Sequence, residues 1–150
     1  MKVDVESIAR IAVDCGLQVH RELGPGLLES VYEAVLAHCL HQAGLKVDRQ
    51  QPISISYRGL DLREGFRADI IVEDTLIIEI KSIEKLAPVH SKQLLTYLRL
   101  ARQPVGLLMN FGAATFKEGI RRIVNDHRHF ASSRLRVNHI PVATDDQPRR

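Results

Sequence analysis

Phe66-Arg67-Ala68-Asp69-Ile70-Ile71-Val72-Glu73-Asp74-Thr75-Leu76-Ile77-Ile78-Glu79-Ile80-Lys81 is the run whose reading decides the fold. Phe66, Ala68, Ile70 and Val72 recur at every second position, which predicts a strand with one apolar face. Leu76 to Ile80 is almost wholly aliphatic, as expected of a strand covered on both sides. Three ionisable residues interrupt these apolar runs. Glu79 and Lys81 are two apart and so share a strand face, and Asp69 lies between Ala68 and Ile70. Charges are costly in such a setting unless they are paired or coordinate something. Their convergence depends on register. A two-residue turn at Glu73-Asp74 sets Asp69 opposite Ile78, facing away from Glu79. A three-residue loop, Glu73-Asp74-Thr75, pairs Val72 with Leu76 and Asp69 with Glu79.

Upstream, Val5, Ile8, Ile11, Ala12, Cys15, Val19 and Leu23 mark an amphipathic helix that stops at Gly24-Pro25-Gly26. Leu28, Val31, Tyr32, Val35, Cys39 and Ala43 mark a second helix, ending near Gly44. Ile53, Ile55 and Tyr57 alternate with serines in a strand that turns around Arg58-Gly59. Downstream, Pro88 opens a third helix running to about Arg102. Pro104 precedes an apolar strand, Val105–Met109. Ile120–Val124 reads as a last strand or a short helix, with strand favoured. Residues 131–150, with two serines, two prolines and Asp145-Asp146, read as a loose tail behind a domain of residues 1–130. Helix, helix, antiparallel strands, helix, strand is an α/β (α+β) order, a mixed sheet flanked by helices.

The chain has 150 residues, 45% apolar and 26% charged, enough for one domain with a core of its own. Two cysteines are too few for a disulfide scaffold, and both fall in helical apolar patterns. The acidic N-terminus lacks a signal peptide's apolar run, and no stretch reaches membrane-span length, so a cytoplasmic protein with no membrane partner is expected. The net charge of +3 is uneven. Residues 1–98 hold 11 basic and 14 acidic side chains, whereas residues 99–136 hold 8 basic and 2 acidic. That asymmetry points to a polyanion such as nucleic acid, with Arg121 and Arg122 as candidate phosphate contacts, although a solvated basic face has the same composition. Several chemistries lack their signatures. Gly24-Pro25-Gly26 is not a phosphate loop, no Gly-x-Ser-x-Gly elbow occurs, and the seven histidines lack zinc-site spacing.

Two carboxylates at the end of a hairpin are hard oxygen donors suited to Mg²⁺ or Mn²⁺. An ion there would polarise a phosphoryl oxygen and activate water, with Lys81 orienting the water or countering charge on the phosphate. The plainer alternative is a buried Lys–acid ion pair. On the third helix His90, Gln93 and Tyr97 share one face, and Gln93 and Tyr97 could bond phosphate or metal-bound water. Glu29 stands in the first turn of the second helix, either capping backbone N–H groups or reaching the ion as a further acid.

The stretch Gly26-Leu27-Leu28-Glu29-Ser30-Val31-Tyr32 resembles the signature of the GxxExxY proteins, relatives of the PD-(D/E)xK nucleases. The likeness spans about residues 5–125, from Leu23-Gly24-Pro25-Gly26 through Arg67-Ala68-Asp69 and Glu79-Ile80-Lys81 to Asn110-Phe111-Gly112. Glu79-x-Lys81 followed by Gln93-x-x-x-Tyr97 also resembles RecB-like nucleases. The resemblance implies a restriction-endonuclease-like core and a metal-dependent nuclease acting on nucleic acid, DNA above all. It implies a catalytic set of Glu29, Asp69, Glu79, Lys81, Gln93 and Tyr97, with Asp69, Glu79, Ile80 and Glu29 around Mg²⁺ or Mn²⁺. Ala68 stands where the superfamily name has proline. Some relatives of such nucleases are binding or interaction modules, which is the alternative function. The chain is small and has no separate DNA-reading domain, so a homo-oligomer or a partner protein is the expected aid in gripping substrate.

Overall fold

A computed structural model describes residues 3–126. The expected boundary near residue 130 and the tail 131–150 lie outside the described residues. Helix α1 (Val5–Leu23) starts where Asp4 accepts the Ser7 N–H and stops at Gly24, whose φ of 69° suits a residue without a Cβ. Helix α2 (Glu29–Gln42) follows. Strands β1 (Val47–Tyr57) and β2 (Leu60–Val72) form a long hairpin through the two-residue turn Arg58-Gly59. Next come β3 (Leu76–Lys81), α3 (Pro88–Ala101), β4 (Val105–Asn110), a short α4 (Phe116–Gly119) and β5 (Ile120–Val124). The weak stretch after Gly112 thus holds both a short helix and the favoured strand.

Among the described residues five strands lie in sequence order, β1-β2-β3-β4-β5. Only β3 and β4 run parallel, with α3 as their crossover; the other neighbours are antiparallel. This is the α/β mixed sheet with flanking helices that the element order predicts. Alternation along β3 explains why that strand must be apolar on both faces. Leu76, Ile78 and Ile80 pack with Ile8, Ala12, Val19, Tyr32 and Leu36 of α1 and α2. Ile77 packs on the other face with Leu94 and Leu98 of α3. Among the described residues no helix is long and apolar enough to cross a membrane.

The β2–β3 connection settles the register. Val72 pairs with Leu76 and Ile70 with Ile78, so the loop is the three-residue Glu73-Asp74-Thr75. Glu73 and Asp74 take positive φ values of 50° and 57° there. Continued one step, that register sets Asp69 opposite Glu79.

Candidate active site

Regular pairing of β2 with β3 ends at Ile70 and Ile78, and the carboxylates take over beyond it. The Ile80 N–H donates to Asp69 Oδ2 at 2.8 Å, and the Asp69 N–H donates to Glu79 Oε1 at 3.3 Å. The side chains thus cross-link two strands as they part, and both acids lie at that opening. Glu79 is 7% exposed and Asp69 is half-buried.

The electrostatics follow from this placement. Burial, reinforced by the Asp69 charge, pushes the Glu79 carboxyl up to about 8. Burial also raises Asp69, with the charge of Glu33 adding to it against the Ile80 N–H. Lys81 pulls both acids down, though less than burial raises them. The ion pairs of the described residues do not include Lys81, so the closed Lys–acid pair of the plainer reading does not form.

Tyr97 reaches the same site from α3. Its ring stacks on Phe66 of β2 at 3.9 Å and 5°. Burial and the charges of Glu79 and Asp69 raise its hydroxyl, which therefore stays protonated and able to donate. Gln93 lies one turn earlier on α3 and is exposed. His90 is otherwise engaged, since its Nδ1 accepts the Ala87 N–H at the start of α3.

Helix α2 brings two acids rather than the one expected. Glu29 is exposed in the first turn, and its charge adds to the upward shift of Glu79. Glu33 is only 5% exposed. Arg49 holds it through Nε and Nη2 at 3.1 and 2.9 Å, and Gln50 Nε2 donates to its other oxygen. The sequence reading missed Glu33, although a signal existed. Tyr32, Glu33, Leu36, Ala37 and Leu40 are the buried positions of α2, at helical three- and four-residue steps. An acid on that apolar stripe needs a partner. Tyr32 serves the structure rather than the chemistry. Its ring stacks on Phe111 at 4.7 Å, and its hydroxyl donates to Gly24 O at 2.5 Å while accepting the Leu27 N–H. It fastens the Gly24-Pro25-Gly26 loop at the mouth of the site.

Asn110 holds the exit from β3. Its Oδ1 accepts the N–H groups of Ile83 and Gly112, and its Nδ2 donates to Ile83 O. A Cβ on Gly112 would lie 2.3 Å from Ile83 O, so the two segments approach too closely for any side chain there. This clamp begins two residues after Lys81 and therefore helps set where that side chain emerges.

The two candidate phosphate-binding arginines separate. Arg121 pairs with Leu108, which pairs with Glu79, so Arg121 lies on the row and face of Glu79, two strands or roughly 10 Å away. Arg122 faces the other way, and its Nη2 pairs with Glu6 of α1 at 2.5 Å. Adjacent strand residues point to opposite faces, so the two arginines do not present themselves on one side of the sheet.

Asp69 and Glu79 offer hard oxygen donors of the kind Mg²⁺ and Mn²⁺ take. Burial raises both carboxyls, reinforced at Asp69 by the charge of Glu33 and at Glu79 by that of Asp69, and a divalent ion would relieve that electrostatic setting. Ile80 could contribute only backbone, because its side chain is buried and apolar. Among the described residues no group of three or more His, Cys, Asp or Glu is arranged to hold a metal, so Glu29 is not drawn into a three-acid cluster. Two carboxylates suffice for an ion that keeps several waters.

The sequence profile described as the PD-(D/E)XK nuclease superfamily matches residues 6–123, which include the whole of this site. The chain belongs to the PD-(D/E)XK nuclease superfamily. Neither a curated protein nor a solved structure matched the chain. The superfamily assignment agrees with the sheet and helices described, and Asp69, Glu79 and Lys81 supply the residue types its name specifies, Ala68 apart.

Proposed function

We propose that this chain is a metal-dependent nuclease that hydrolyses phosphodiester bonds of nucleic acid, with DNA as its substrate, and that it is a GxxExxY-type member with RecB-like Gln93 and Tyr97. One observation carries the reading. The Asp69–Glu79 pair is cross-linked at the parting of β2 and β3, and Lys81 lies on the same strand face, outside the ion pairs of the described residues. A bound Mg²⁺ or Mn²⁺ would supply Lewis acidity toward a phosphoryl oxygen and toward water. Asp69 and Glu79 would hold it, with the Ile80 backbone beside them and Glu29 acting through water. Lys81 presents its ammonium to the attacking water and to the negative charge growing on the phosphate. Tyr97 donates from its protonated hydroxyl to a phosphate oxygen, and Gln93 orients the strand from the turn before it. Attack is in line, with the bond to the leaving oxygen breaking on the opposite side.

The test is cleavage of single- and double-stranded DNA and RNA with Mg²⁺ or Mn²⁺ by the wild type, Lys81→Ala, Asp69→Ala and Glu79→Ala. Lys81→Ala should lower kcat by about 10²-fold or more with KM nearly unchanged, because it acts on charge that develops in the transition state. The two acid variants should lose cleavage and divalent-ion binding together. A wild type that binds these substrates yet cuts no faster than Lys81→Ala would leave the alternative, a binding module on the nuclease fold.

A further inference from the structure

Glu33 and Gln50 take no part in the proposed chemistry, yet they are joined to its metal ligand. Gln50 lies in the middle of β1 with φ of +50°, a costly conformation for a residue with a Cβ. Pairing of β1 with β2 skips one step there: Arg49 pairs with Ile70 and Gln51 with Ala68, while Gln50, opposite Asp69, pairs with neither. Its Nε2 donates to Asp69 Oδ1 at 3.3 Å and to Glu33 Oε1. Two carboxylate oxygens converging on one amide require its nitrogen, whose two hydrogens serve one acid each. Glu33 is itself fixed from its other oxygen by Arg49.

We propose that Gln50 is the positioning residue of the Asp69 carboxylate, holding Oδ1 through its amide while Glu33, anchored by Arg49, holds the amide. The inference rests on the metal-dependent reading and deepens it. Asp69 is then held at both oxygens, by Gln50 on one and the Ile80 N–H on the other, so the carboxylate cannot swing away from Glu79. Strain at a kink is tolerated where it serves a site, and here the kink falls on the residue opposite the acid it holds. A residue that merely satisfied buried Glu33 would need neither the second bond nor that position.

The experiment titrates the full chain with Mn²⁺ alone, following free ion by electron paramagnetic resonance, for wild type, Gln50→Gly and Gln50→Glu. Glycine suits the left-handed backbone and removes the side chain with its amide, so a loss is not caused by backbone strain. Gln50→Gly should bind Mn²⁺ about 10–100-fold more weakly, the usual effect of losing a group that orients a ligand. Its kcat should fall at limiting Mn²⁺ and recover at excess, with KM for nucleic acid unchanged. Gln50→Glu keeps the length but cannot donate, so it should not restore affinity. Unchanged affinity in Gln50→Gly, or tighter binding by Gln50→Glu, would overturn the proposal, the latter by making position 50 a ligand. A wild type that binds no Mn²⁺ removes the metal-dependent reading and this inference with it; a wild type that binds while Gln50→Gly matches it removes the inference alone.

Discussion

Glu79 is almost fully buried beside the like charge of Asp69, and both favour its protonated form. Its ordinary value of 4.5 rises to about 8 in the metal-free fold. Between those values the folded chain holds a proton that the unfolded chain has released, so stability falls as pH rises. The contribution is complete below about 4.5 and is lost as pH passes through about 8. Asp69 shifts in the same direction. Denaturant unfolding of EDTA-treated protein should therefore show lower stability at pH 8 than at pH 5, by on the order of a few kcal/mol. Glu79→Gln should flatten that dependence. Saturating Mn²⁺ should restore the wild type at pH 8, because an ion that binds only the folded state stabilises it by mass action. Equal slopes for wild type and Glu79→Gln would show that Glu79 does not titrate in this window.

Elements act on the site through their ends. The β2–β3 hairpin presents Asp69 and Glu79 where its ladder stops, α3 presents Tyr97, and the loop before α2 is tied to the end of β3 by the Ser82 hydroxyl, which donates to Leu27 O at 2.6 Å. The exit of β3 depends on Asn110, which is fully buried. Asn110→Ala would remove three hydrogen bonds and leave the Ile83 N–H and C=O without their partner. A cost of about 2–4 kcal/mol in urea unfolding is expected, since a stranded buried polar group costs about 1–3 kcal/mol. Activity should fall further than stability explains, because the clamp lies next to Lys81. An Asn110→Ala protein with wild-type cleavage at a temperature where it is fully folded would confine the residue to stability.

At the scale of the whole molecule, the sheet distributes positive charge by parity. Arg121 shares the Glu79 face across β4, whereas Arg122 meets Glu6 on the α1 face. If nucleic acid runs over the α3 face of the sheet, Arg121→Ala should reduce the log–log salt slope of binding by about 1 and weaken affinity across all sequences. Arg122→Ala should leave that slope alone, because Arg122 lies on the opposite face and is paired with Glu6 of the same chain. The reverse ranking in a salt titration would move the binding surface to the α1 side.

The local periods in the sequence determined the elements. Three- and four-residue spacing marked α1 and α2, Pro88 marked the start of α3, alternation marked β1 and β2, and the aliphatic run marked β3, because each pattern records a local preference of one segment. The same local reading exposed Asp69, Glu79 and Lys81 as charges in apolar company. Whether Asp69 met Glu79 was a matter of one residue of loop, and only the folded hairpin decided it, since a one-residue slip turns every side chain to the other face. Glu33 was legible as an acid on a buried stripe, but its partners Arg49 and Gln50 lie 16 and 17 residues away, on a strand whose kink leaves no mark in the hydrophobic pattern. The division of Arg121 from Arg122 followed from strand alternation once β5 was placed. Convergence of side chains from α2, β1, β2, β3 and α3 is a property of strand order and register, and those are set by which apolar faces can be buried together in three dimensions.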